Sequence, residues 1–136
     1  METILAPLPL GTSDFSALRK SGQIYVDKTR LIYTLASKRQ KFFLSRPRRF
    51  GKSLLLSTFE SLFKYGLRDF HGLEIESLWK DENTYQVIRL DFSNLKDFSS
   101  VEEFSELLDQ YLLDTLTVNR LVSPIKTDKE GLRAFI

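Results

Sequence analysis

The chain has 136 residues, 42% hydrophobic and 28% charged, with no cysteine, one histidine and a net charge of +2. That length suits one domain with a core of its own, and the composition excludes a disordered chain. Without cysteine there are no disulfides or thiolate metal sites, and a solitary His71 argues against a histidine metal cluster.

The N-terminus, METILAPLPLG, has a short apolar run, two prolines and an acid where a secretion signal needs a basic flank. No apolar run approaches the ~20 residues that span a bilayer, so the expected location is the cytoplasm. Residues 14–20, DFSALRK, read as a short helix ending before Gly22. Ile24, Tyr25 and Val26 favour a short strand, and Asp27 can cap a helix over roughly 28–38. That helix places Leu31, Ile32, Leu35 and Ala36 on one face.

Residues 41–45 carry Phe42, Phe43 and Leu44, the continuous apolar run of a buried strand. Pro47 forbids helix through RPRR, and a new helix starts at Lys52. Leu55, Phe59, Leu62 and Phe63 form its stripe, and Gly66 suits its end. Residues 67–84 read as loop, although Leu67, Phe70, Leu73, Ile75, Leu78 and Trp79 need burial. His71 and Trp79 read as loop or core residues. YQVIRLDF, 85–92, is the clearest strand. A capping box, Ser99 with Glu102 or Ser100 with Glu103, then opens a helix carrying Phe104, Leu107, Leu108, Tyr111 and Leu112. The alternation of strands and helices predicts an α/β fold: a partial P-loop NTPase-like three-layer architecture with a short parallel sheet flanked by helices.

Charge is unevenly placed along this order. Lys38, Arg39, Lys41, Arg46, Arg48, Arg49 and Lys52 fall in one stretch with no acid, leaving thirteen basic residues against eighteen acids elsewhere. The stretch ends in Gly51-Lys52-Ser53, the close of a phosphate-binding loop. In such a loop a strand ends, amides curl inward, and a helix start adds about half a positive charge. Lysine reaches the β- and γ-phosphates, and the hydroxyl holds Mg²⁺. The usual pattern has glycine five residues before Gly51, where this chain has Arg46. By pattern alone a solvated basic turn stays open beside the nucleotide site.

The segments GTSDFSALRKSGQIYVDKT (11–29), FFLSRPRRFGKSLLLSTFESLF (42–63), LRDFHGLEIESLW (67–79) and VIRLDFS (87–93) resemble, in order, the N-terminal half of the bacterial AAA-ATPase-like family. The family's own loop is the variant RPRRFGKS. The resemblance implies a P-loop ATPase-like module that binds ATP and Mg²⁺. Gly51, Lys52 and Ser53 would bind phosphate, with Ser53 on the metal. Arg46, Arg48 and Arg49 would line the loop, with Phe50 packed under the turn. The resemblance assigns no role to Tyr25, Asp27 and Lys28; from the residues, Tyr25 reads as a core side chain, with a place near the base as the alternative. The same resemblance implies a nuclease-like domain of the PD-(D/E)XK superfamily further along the polypeptide or separate, a route to nucleic acid.

Hydrolysis also needs an acid on a neighbouring strand. The resemblance places it in a later LIDEYD-like strand, which this chain lacks. Asp91 is the one strand-end acid after the loop, with turn capping as its plainer use. The expectation is therefore that residues 1–136 form the N-terminal, truncated portion of the ATPase domain, binding ATP without the full equipment to hydrolyse it, either as a partial domain of weak affinity or with a partner or the missing half completing the sheet. Two alternatives stand beside it. One is a nucleic-acid-binding module over residues 38–52, with Phe42, Phe43 and Phe50 stacking on bases. The other is a ligand-free interaction protein using the acidic helix 101–116.

Overall fold

The computed structural model describes residues 5–119, which divide after Val87 into two compact units. In the first unit, α1 (Phe15–Lys20) starts where the Asp14 carboxylate accepts the Ala17 N–H at 2.7 Å. This cap offsets an orphaned helix amide, and Arg19 and Lys20 sit in the last turn, where the helix dipole favours cations. α2 covers Thr29–Ser37, and α3 covers Lys52–Tyr65. Gly66, at φ +66°, closes α3 in a conformation that side-chain-bearing residues rarely adopt. A single turn, α4 (Ile75–Leu78), lies within the segment expected to be wholly looped.

The core of this unit gathers Phe15, Ile32, Ala36, Leu62, Phe70, Leu73, Ile75 and Trp79. Phe15 packs its ring against Phe70 at 4.7 Å and Tyr25 at 5.2 Å between centroids. The apolar residues of 67–79 thus find the burial that their sequence demands. On α2, Ile32 and Ala36 are buried, whereas Leu31 faces solvent.

Two polar staples tie the helices. On α3 the residues turned inward include Ser57, Thr58 and Ser61, small side chains that let α1 approach closely. Ser57 Oγ accepts the Phe15 N–H at 2.8 Å. Asp69, only 8% exposed, accepts hydrogen bonds from Ser16, from Ser61 at 2.7 Å and from Arg68. Its backbone carbonyl takes Arg19 Nε at 3.0 Å. The second staple joins α2 to α4. Asp27 accepts from the N–H and hydroxyl of Thr29, at 2.9 and 2.6 Å, and from the Glu74 N–H at 2.7 Å. Thr29 Oγ1 in turn accepts the Ile75 N–H at 3.1 Å. Buried polar groups are costly unless paired, and these pairings satisfy them.

The second unit contains a 3₁₀ turn, Phe92–Asn94, and α5 (Val101–Val118). The capping box is the Ser100/Glu103 one. Ser100 Oγ accepts the Glu103 N–H at 3.1 Å, while the Glu103 carboxylate reaches back to the N–H and hydroxyl of Ser99. Phe98 packs on Phe104, and Phe92 on Tyr111.

The parallel sheet is absent. Among the described residues there is no strand, so the α/β, P-loop NTPase-like three-layer expectation is overturned. Residues 24–26, 41–45 and 85–92 form no ladder; isolated links join the Ile24 N–H to the Pro7 carbonyl at 2.9 Å and the Tyr85 N–H to the Phe63 carbonyl at 2.7 Å. The physical reason is that β-branched and aromatic residues specify a pleated, half-buried surface, whereas a strand also needs a neighbour for its hydrogen bonds. Among the described residues these segments make only such isolated links, and no second strand runs alongside them. The run expected to be a buried strand is in fact open to water, Phe43 being 94% exposed. Among the described residues no helix is long and apolar enough to cross a membrane.

Candidate phosphate-binding site

α3 begins at Lys52 because the residues before it cannot continue a helix backwards. Pro47 sits five residues upstream, and Gly51 occupies the N-cap at φ +74°, ψ 23°. A β-carbon added at Gly51 would meet nothing within 4 Å, so its left-handed backbone rather than crowding is what demands glycine. Arg49 also lies at positive φ, +66°. The loop therefore turns through two left-handed residues on either side of Phe50.

No side chain caps this end of α3. The Leu55 N–H is the first to bond back, to the Gly51 carbonyl at 2.9 Å. The amides of Lys52, Ser53 and Leu54 precede it and have no acceptor within the helix. Lys52 Nζ donates to the Arg46 carbonyl at 2.9 Å, which draws the ammonium back over the loop instead of out into solvent. Arg46, Arg48, Arg49 and Ser53 are exposed. Among the described residues none of the four cations pairs with a carboxylate. Loop, open amides and unpaired cations thus converge at one helix end. Phe50 departs from expectation: it is 64% exposed and does not pack under the turn.

A cavity of about 330 Å³ adjoins the loop. Gly51, Phe50 and Arg46 form its loop side, and Val26, Lys28, Leu31 and Leu54 also line it. Tyr25 packs its ring edge-on to Phe15, in the core, and it also lines this cavity. Burial, and then the Asp27 carboxylate, push its phenol up, against the opposing pull of a hydrogen bond with the Thr58 side chain. Asp27 is structural. Partial burial pushes its carboxyl upward, but the bonds from Thr29 and the Glu74 amide together hold it below the usual range.

Asp91 is a turn cap: its carboxylate accepts the Ser93 N–H at 2.9 Å, and its own N–H donates to the Tyr111 hydroxyl at 2.7 Å. The bond from the Ser93 amide, with the Ser93 hydroxyl contact, lowers its pKa. Asp91 belongs to the second unit, the loop to the first. His71 is an exposed loop residue 3.2 Å from Glu76, and Trp79 is core. Among the described residues no group of three or more His, Cys, Asp or Glu could hold a metal. A Mg²⁺ ion would have only the Ser53 hydroxyl here, which fits an ion that arrives on phosphate oxygens and keeps its waters.

Asp69 is the functional-looking acid that sequence reasoning passed over. Its signal was available: three small hydroxyls, Ser57, Thr58 and Ser61, interrupt the apolar face of the helix before it.

A glycine-hinged basic loop delivering uncapped helix amides defines an anion-attracting site. The chain belongs to the AAA-ATPase-like family, whose model, described as "Predicted AAA-ATPase", matches residues 9–130. It is similar to a protein of Azotobacter chroococcum mcd 1 described as "Uncharacterized protein in vnfD 5'region", 37% identical over 105 residues. The match takes in 74% of this chain and only 20% of that relative, so the chain spans about a fifth of its length. No solved structure matches the chain.

Proposed function

We propose that the chain is a nucleotide-binding module that takes the triphosphate of Mg-ATP at the loop 46–53. The observation that supports this most is the start of α3: three amides without helical acceptors beside four cations that, among the described residues, no carboxylate pairs with. Membership of a family described as "Predicted AAA-ATPase" supports the same reading. In it, the amides of Lys52 and Ser53 bond phosphate oxygens. The Lys52 ammonium exchanges the Arg46 carbonyl for the β- and γ-phosphates, Ser53 meets Mg²⁺, and Arg48 and Arg49 screen the remaining charge. Binding rather than turnover is proposed, because among the described residues no carboxylate lines the cavity at the loop.

Calorimetric titration of Mg-ATP into wild type and Lys52→Ala tests this. A hydrogen bond to a charged group contributes roughly 1.5–3 kcal/mol, so the variant should bind at least about tenfold more weakly. Equal affinities would end the proposal.

A second reading gains from one observation. Phe42, Phe43 and Phe50 are exposed among the basic residues 38–52, where aromatic faces can stack on bases. On this reading single-stranded DNA binds there, with affinity falling steeply as salt rises. Oligonucleotide binding indifferent to salt would exclude it.

A further inference from the structure

Another cavity, of about 350 Å³, shares no lining residue with the loop 46–53. Four aromatic side chains from four parts of the first unit line it: Tyr33 on α2, Phe63 on α3, Trp79 just after α4, and Tyr85. The Phe63 ring stands edge-to-face with Trp79 at 6.0 Å and with Tyr85 at 5.8 Å between centroids. The volume lies at the low end of the ~300–1,000 Å³ range of small-molecule sites, enough for one small ring. Trp79 is the most buried of the four, and its indole N–H is shut off from water with no acceptor. Among the described residues it is the one buried side-chain polar atom without a partner. An unpaired buried donor costs about 1–3 kcal/mol, and a buried indole N–H ordinarily has a partner. The acceptor then has to come from outside the chain.

Three charged residues line the same cavity: Arg39, Lys80 and Asp81. Asp81 is engaged. Its carboxylate accepts the Tyr85 hydroxyl at 2.6 Å, the Asn83 N–H at 3.0 Å and the Asn83 side-chain amide at 2.8 Å. Arg39 reaches it only at 3.4 Å, with its own side chain 77% exposed, a pairing of little worth in water. Lys80 is exposed and, among the described residues, pairs with no carboxylate. Arg39 is also held at a cost: its backbone lies at φ +48° just past the end of α2, where glycine is usual. The exposed rim thus carries two cations to one acid, and the buried wall carries a bare donor.

We propose that this cavity binds a small planar heteroaromatic carboxylate. The ring lies among Tyr33, Phe63 and Tyr85, the carboxylate meets Arg39 and Lys80 at the rim, and an acceptor at the ring's far end takes the Trp79 indole N–H. Seating the ring takes a small turn of the indole, whose N–H is otherwise covered. Arg39 exchanges a long contact with Asp81 for a charge-assisted bond to the ligand. A site with a buried donor to satisfy rejects an analogue that lacks the acceptor. This site is independent of the triphosphate reading of the loop.

Trp79 is the chain's single tryptophan, so its fluorescence and its one indole N–H resonance report on this cavity. The probe is pyridine-4-carboxylate, whose ring nitrogen is an open acceptor near neutral pH. Benzoate lacks that acceptor, and pyridine-4-carboxamide lacks the charge. Added to the intact chain, pyridine-4-carboxylate should change the Trp79 emission saturably and move the indole proton downfield. Benzoate and pyridine-4-carboxamide should each bind about tenfold or more weakly. Arg39→Gln and Lys80→Gln should each weaken pyridine-4-carboxylate about tenfold while leaving the indole resonance of the unliganded chain in place. No saturable response in the millimolar range overturns the proposal. So does equal affinity for benzoate, or binding unchanged in both glutamine variants. An Overhauser contact from the indole N–H to a long-lived water also overturns it, because the missing partner would then be water alone.

Discussion

Replacing Asp69 with asparagine tests the staple that holds α1, α3 and the following turn together. In the folded chain the Asp69 carboxyl lies at about 2 against an ordinary 3.8. Burial acts to raise it, but hydrogen bonds from Arg68, Ser16 and Ser61 jointly outweigh burial. Because the folded pKa is depressed, the ionised carboxylate stabilises the fold fully above the unfolded value. That stabilisation is lost as pH falls towards 2. At ~1.4 kcal/mol for each tenfold change in proton affinity, the carboxylate contributes about 2 kcal/mol at pH 6. Roughly half of this survives at pH 3, where the unfolded chain is already mostly protonated. Urea unfolding of wild type and Asp69→Asn at both pH values measures it. The stability gap should be about 2 kcal/mol at pH 6 and about 1 kcal/mol at pH 3. A gap of equal size at both would refute the reasoning, since it would mean that the carboxylate's charge is not what the three donors hold.

Other substitutions probe the loop and the second staple. Arg49→Gly should raise stability by about 1 kcal/mol by relieving a left-handed backbone, yet weaken Mg-ATP by removing a cation, so thermal melts and titrations should move in opposite directions. Gly51→Ala should cost roughly 1–2 kcal/mol in chemical denaturation, through strain alone, since no atom stands in the way of its methyl group. Asp27→Ala leaves the Thr29 and Glu74 amides without their acceptor and should cost about 1–3 kcal/mol, read in the same assay. Phe43→Ser should change stability by no more than about 0.5 kcal/mol. A loss several times larger would mean that this side chain packs against something.

Four of the five α-helices, all but α4, were legible because their signals are local. Asp14 ahead of α1, the glycines flanking α3 and the Ser100/Glu103 box ahead of α5 each act within a few residues of the backbone they cap. The sheet was misread because its signal is only half local: residues 41–45 and 85–92 have the composition of strands, but hydrogen-bonded pairing depends on distant chain. The loop was legible as a set of residues, since 46–53 stand together at a helix start. What Lys52 touches was not, because its acceptor is a main-chain carbonyl, and every residue in the sequence offers one. Nor was Asp27's double attachment foreseeable in full. Its bond to Thr29 is a near neighbour's, but its bond to Glu74 crosses 47 positions.

The hydroxyls along the middle of α3 have one more implication. Ser57 and Ser61 fasten that helix to α1 and to Asp69, while its first turn stands clear of any such tether. A rod gripped at its waist keeps its tip in register. Under the proposed function, the start of α3 keeps the position that Ser57 and Ser61 give the helix, and any adjustment to an arriving anion falls on the bend before it.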